Sequence, residues 1–144
     1  MAPPTLIHIQ QVRPLPQYNE YEALVDALVD GQPLCLHALI YRPDDWRRFA
    51  PGAAVPAALW LERDGPVERL AAAGPPALAQ IEAARYEAIG TVRSVDGERL
   101  ILDTTLPLSV DLDLPPQQAA HAPPLRPGDP LRVVGVMKAD LYPD

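Results

Sequence analysis

Apolar positions along this chain fall in short runs separated by prolines. Thr5-Leu6-Ile7-His8-Ile9-Gln10-Gln11-Val12, held between Pro4 and Pro14, predicts a strand. From Asn19 the spacing turns helical: Tyr21, Leu24, Val25 and Leu28 recur three to four residues apart. Asn19 with Glu22 makes a variant capping box, and Gly31 supplies a stop. That predicts a helix over residues 19–30, with Glu20, Glu22, Asp26 and Asp30 on an acidic face. Residues 34–41 predict the next strand, followed by one helical turn carrying Trp46 and Phe49. Pro51-Gly52 opens a strand over 55–62, and Arg63-Asp64-Gly65-Pro66 turns it so that 67–70 return as a hairpin partner. Pro75-Pro76 start a second helix over 76–85, with Leu78 and Ile81 as a narrow apolar stripe.

The later half carries clearer strand signals. Residues 86–95 and 98–104 flank Asp96-Gly97, a tight hairpin signal. Ser109-Val110-Asp111-Leu112-Asp113-Leu114 alternates apolar and polar positions. Residues 115–124 are a polar, alanine-rich excursion, and 131–137 form a last strand. Gly90 and Gly135 sit inside strands, where glycine marks a bulge or a tight bend.

The fold class expected is mainly β with two short helices, in a small bent sheet with the N-terminal half packed on it. A Gly-Thr-Val opening strand (90–92), the Asp-Gly hairpin and the Leu-Arg-Pro-Gly-Asp lead-in (125–129) to Val-Val-Gly-Val resemble the OB-fold barrels over residues 86–142. The resemblance implies a five-stranded barrel and, as OB-like proteins often do, binding of single-stranded nucleic acid. The chain departs from that pattern in two ways. Four strands are evident, with 138–142 short for a fifth, and "PPQQAAHAPP" stands where a helix is expected. A wall borrowed from residues 1–70 makes the chain one merged domain, with lobes 1–85 and 86–144. Phe49-Ala50-Pro51-Gly52 and Leu125-Arg126-Pro127-Gly128 lead into their strands alike, but share only proline and glycine as identities over 13 positions. That likeness reads first as a recurring way to start a strand, with an internal repeat as the alternative.

Composition narrows the function classes. The net charge of −7 argues against bulk nucleic-acid binding and against anionic membranes. Nineteen prolines act as punctuation, favouring strands over long helices. One cysteine excludes an internal disulfide. No apolar run approaches the ~18 residues of a membrane span and no signal-peptide pattern opens the chain, so a soluble cytoplasmic protein is expected.

Candidate chemistry is sparse. Tyr41, Arg42, Trp46, Arg47, Arg48 and Phe49 interleave aromatic and guanidinium groups, the ingredients of a single-strand nucleic-acid patch. The same residues also fit a core plug, with Trp46 and Phe49 pointing inward. Between 87 and 141 there is no Phe, Tyr or Trp, which removes a base-stacking platform from that half. Cys35 and His37 share a strand face, but a structural zinc site wants four ligands, and only His8 and His121 remain as further His or Cys ligands. Asp111 and Asp113 read as the wet side of a strand rather than a cation site. No nucleophile elbow, phosphate loop or His-Glu metal helix is present. The expectation is a non-catalytic module without metal or cofactor, contacting a protein partner or itself through Trp60, Glu20, Glu22 and Asp26. The strand at 5–12, with proline at both ends, is suited to pair with a sheet edge in its own chain or in a second copy.

Overall fold

The computed structural model describes residues 5–15, 21–112 and 124–141. It is mainly β, a sheet of nine strands that does not close into a barrel. The strands are β1 (Thr5–Pro14), β2 (Glu22–Val29), β3 (Gln32–Leu39), β4 (Ala54–Arg69), β5 (Ala77–Glu82), β6 (Arg85–Asp96), β7 (Arg99–Asp103), β8 (Pro107–Asp111) and β9 (Pro130–Leu141). Their order is β1-β2-β3-β9-β4-β8-β7-β6-β5, with further pairings of β1 with β4 and of β9 with β6. One 3-10 turn, Pro43–Arg47, interrupts the strands, and the described residues contain no α-helix.

Both segments read as helices from sequence are therefore strands. In β2 the buried positions alternate as Ala23, Val25, Ala27 and Val29, while Glu22, Leu24, Asp26 and Leu28 are half-buried. Alanine is as good a core residue here as leucine, so the true period is two. Asp30 and Gly31, at φ 50° and 77°, make the tight turn into β3, with Val29 facing Gln32 across it. Gly31 thus ends a hairpin loop, not a helix. In β5 every residue from Ala79 onward is exposed. A helix there would have to nucleate within a few residues and pack on two side chains, which a strand beside β6 avoids.

Two further expectations change. Residues 63–69 do not fold back, because β4 runs straight through them to Arg69. Gly65 lacks the positive φ a tight turn needs, since the residue before a proline is driven toward extended backbone. Residues 138–141, too short alone to read as a strand, are the end of β9. Of the expected excursion at 115–124, residues 115–123 lie outside the described residues.

The chain forms two compact units, and neither is a continuous piece of sequence. One holds β1, β2, β3, the start of β4 as far as Leu59 and the end of β9 from Val136. Its core includes Ile7, Ile9, Val25, Leu36, Phe49, Met137 and Leu141, each at most 2% exposed. β1 is antiparallel to β2 and to β4, and β3 runs parallel to β9. The other unit holds the rest of β4, β6, β7, β8 and the start of β9. Leu61, Leu100, Leu102, Leu108 and Leu131 fill it, and β8 runs parallel to β4. Each such side chain contributes about 1.5–3 kcal/mol by leaving water.

Candidate functional site

The polar chemistry of the first unit gathers on β2 and β3. The hairpin sets Asp26 directly opposite Cys35, and a bulge in β1 between Ile9 and Gln11 lets Arg13 reach both. Arg13 donates to Asp26 Oδ1 at 2.9 Å and to Cys35 Sγ at 3.4 Å. Cys35 is 3% exposed, and loss of water pushes its thiol up from 9.0 to about 11, with the Asp26 charge adding to the shift. Such a thiol is packed and almost wholly protonated near neutrality.

Two residues further along β3, His37 is 8% exposed between two charges. Its Nε2 lies 3.0 Å from Glu22 Oε1, the diagonal position on β2. Its Nδ1 lies 3.5 Å from Nζ of Lys138, its direct neighbour on β9. Lys138 can only donate, so Nδ1 accepts and the Nε2 hydrogen goes to Glu22. The acid, the ring and the ammonium group thus form one hydrogen-bonded row across β2, β3 and β9. On the same strand as Lys138, burial raises the carboxyl of Asp140, opposite Leu39, above its ordinary value.

A thiol held protonated makes one testable statement about pH. Unfolding exposes Cys35, which then ionises about two pH units earlier than in the folded chain. Its stabilising contribution is complete below pH 9 and is lost as pH rises from there toward 11. Cys35→Ala should flatten the fall in melting temperature over that interval. At pH 8 a thiol reagent should label the wild-type cysteine only after denaturant is added; labelling in the native protein would show the side chain to be accessible.

The sequence-derived candidates are dispersed. Glu22 and Asp26 sit on a strand and have partners, so the acidic helical face does not exist; Glu20 lies outside the described residues. Trp60 is half-buried on β4. Tyr41 is 63% exposed, and Arg42, Arg47 and Arg48 are exposed, while Phe49 is 1% exposed and Trp46 half-buried. The two inner rings meet edge to face at 6.1 Å. The 3-10 turn thus divides the motif, placing Phe49 in the core and the arginines in water. His121 and Asp113 lie outside the described residues, among which no group of three His, Cys, Asp or Glu side chains is placed to hold a metal. No helix among those residues is long and apolar enough to cross a membrane.

Arg13 and Lys138 escape a reading of the sequence, because their roles come from register across strands far apart in the chain. The signal for Arg13 was Asp30-Gly31, which as a hairpin turn sets Asp26 against Cys35. In the second unit Arg132 bridges Glu87 at 2.6 Å and Glu68 at 3.3 Å, Arg85 pairs with Asp64, and Arg93 with Asp103. Arg132–Glu87 is part-buried; the other pairs are exposed and worth at most about 1 kcal/mol each. Arg42, Arg47 and Arg48 form no such ion pair among the described residues.

Comparison with protein-family models, with curated proteins and with solved structures gives no match.

Proposed function

We propose that the chain is a non-catalytic binding module that engages a protein strand, from a partner or from a second copy, along β5. The observation that carries this reading is Ile81, 49% exposed in a strand at the end of the sheet order. An apolar strand at such a position is a template for strand addition. The groups that chemistry would need are committed elsewhere: Cys35 is buried and protonated, and His37 is held by Glu22 and Lys138. β1 is not the docking edge, since it pairs with β2 and β4 in its own chain. An OB-like ancestry of the strand pattern is part of the same proposal. Within residues 86–142 the meander β6-β7-β8, the parallel neighbour of β8 in β4 and the pairing of β9 back to β6 support it.

Sedimentation of the purified protein, with affinity capture from cytosol before and after nuclease, tests the reading. Ile81→Glu should weaken the association by about 2 kcal/mol, roughly thirtyfold in Kd. Trp60→Ala, which trims a half-buried ring on β4, should have a smaller effect. An association untouched by Ile81→Glu would remove β5 from consideration.

A second reading rests on Tyr41, Arg42, Arg47 and Arg48, an exposed ring beside three guanidinium groups without ion-pair partners among the described residues. It is a single-strand nucleic-acid contact, set against the chain's net charge of −7. Retention of an oligonucleotide that falls steeply with salt and disappears in the Arg47→Ala, Arg48→Ala double variant would favour it.

A further inference from the structure

The two Pro-Gly turns occupy the same place in two matching constructions. In the first unit Ile9 donates its N–H to Ala53 O at 2.9 Å and accepts from Gly52 N–H at 2.8 Å. In the second, Val92 donates to Asp129 O at 2.9 Å and accepts from Gly128 at 2.7 Å. Behind each pair the same turn bond closes, Ala53 to Ala50 O and Asp129 to Arg126 O. Gly52 and Gly128 have φ of 91° and 94°.

The match extends along the strands. Ile9 faces Ala27 and Gln11 faces Asp26, so Gln10 bulges out. Val92 faces Leu102 and Ser94 faces Ile101, so Arg93 bulges out. Each bulge immediately follows the residue that grips the Pro-Gly turn. The third strands begin alike, with Pro33 opposite Leu28 and Pro107 opposite Asp103. Counting onward by the same number of residues reaches His37 and Asp111, and these meet Lys138 and Glu62 in the two parallel pairings. Lys138 and Glu62 in turn stand equally far beyond Gly128 and Gly52. A shared habit of starting strands would reproduce the turn, but not the bulge and the parallel register with it.

We infer that the chain is a tandem duplication of one four-stranded element, and that each copy is completed by the other. β1–β3 with the start of β4 form one copy, and β6–β8 with the start of β9 form the second. The far end of β9 is the parallel neighbour of β3, and the far end of β4 is the parallel neighbour of β8. The binding partner for which each half is built is therefore a second copy of the same element. The exposed link at Ala71–Gly74 is then only a tether.

Two measurements on the full-length chain test this. A protease site replacing Ala71–Gly74 is cut after folding. The fragments should elute together at the intact size, keep the β signature and part only in denaturant. Separation on cutting, or loss of the sheet, overturns the mutual completion. Gly52→Ala and Gly128→Ala put the same strain at equivalent positive-φ sites, so each should lower the melting temperature by the same few degrees. One silent change beside one damaging change overturns the equivalence of the paired turns.

Discussion

Gly135→Ala is expected to cost on the order of 3 kcal/mol and to lower the melting temperature by roughly 10 °C. A Cβ at Gly135 would overlap the carbonyl oxygen of Glu62 and would stand 2.8 Å from its carbon and 3.0 Å from Arg63 Cα. All three obstacles are backbone atoms of β4, so no rotamer change relieves the clash, and strands β4 and β9 must separate. Gly90→Ala should behave alike, meeting the Asp103 carbonyl oxygen, its carbon at 2.7 Å and Thr104 N at 3.1 Å. Thermal unfolding followed by circular dichroism reads both. A loss under about 1 kcal/mol, the cost of an ordinary surface change, would mean the strands do not approach so closely.

Phe49→Ala should cost about 3–5 kcal/mol, the range for an emptied aromatic core site. Phe49 is 1% exposed and anchors the turn that carries Trp46 and the arginines. Trp46→Ala, at a half-buried ring, should cost less, and Tyr41→Ala should stay within about 0.5 kcal/mol, because Tyr41 is 63% exposed. The graded series separates packing from recognition. Should Tyr41→Ala destabilise as much as Phe49→Ala, the division of this motif into plug and solvent face fails.

These residues also show how much of the fold was legible. The alternation at 109–112 and the Asp-Gly turn at 96–97 point to β7 and β8 directly, because local pattern and tertiary role agree there. At 22–29 they conflict: leucines at helical spacing mask an Ala-Val alternation, and only the partner strands decide between them. Gly65 follows Asp64 as a turn glycine would, but the proline after it sets the backbone straight. The polar cluster was harder still. Cys35 and His37 could be placed on one face from spacing alone, but Lys138 reaches His37 only through a parallel pairing spanning most of the chain. Gly90 and Gly135 were legible only as a bulge or a tight bend; that each instead lies against a neighbouring carbonyl, of Asp103 and of Glu62, depends on the strand beside it.

The late position of β9 also governs the order in which the protein is made. His37 and its neighbours leave the ribosome early, yet the strand that flanks them, from Val136 onward, follows about a hundred residues later. At ~5–20 residues per second the gap amounts to some 5–20 s. Through that interval β3 waits with one side unfinished, a window in which a second nascent chain, or a chaperone, competes for the vacancy.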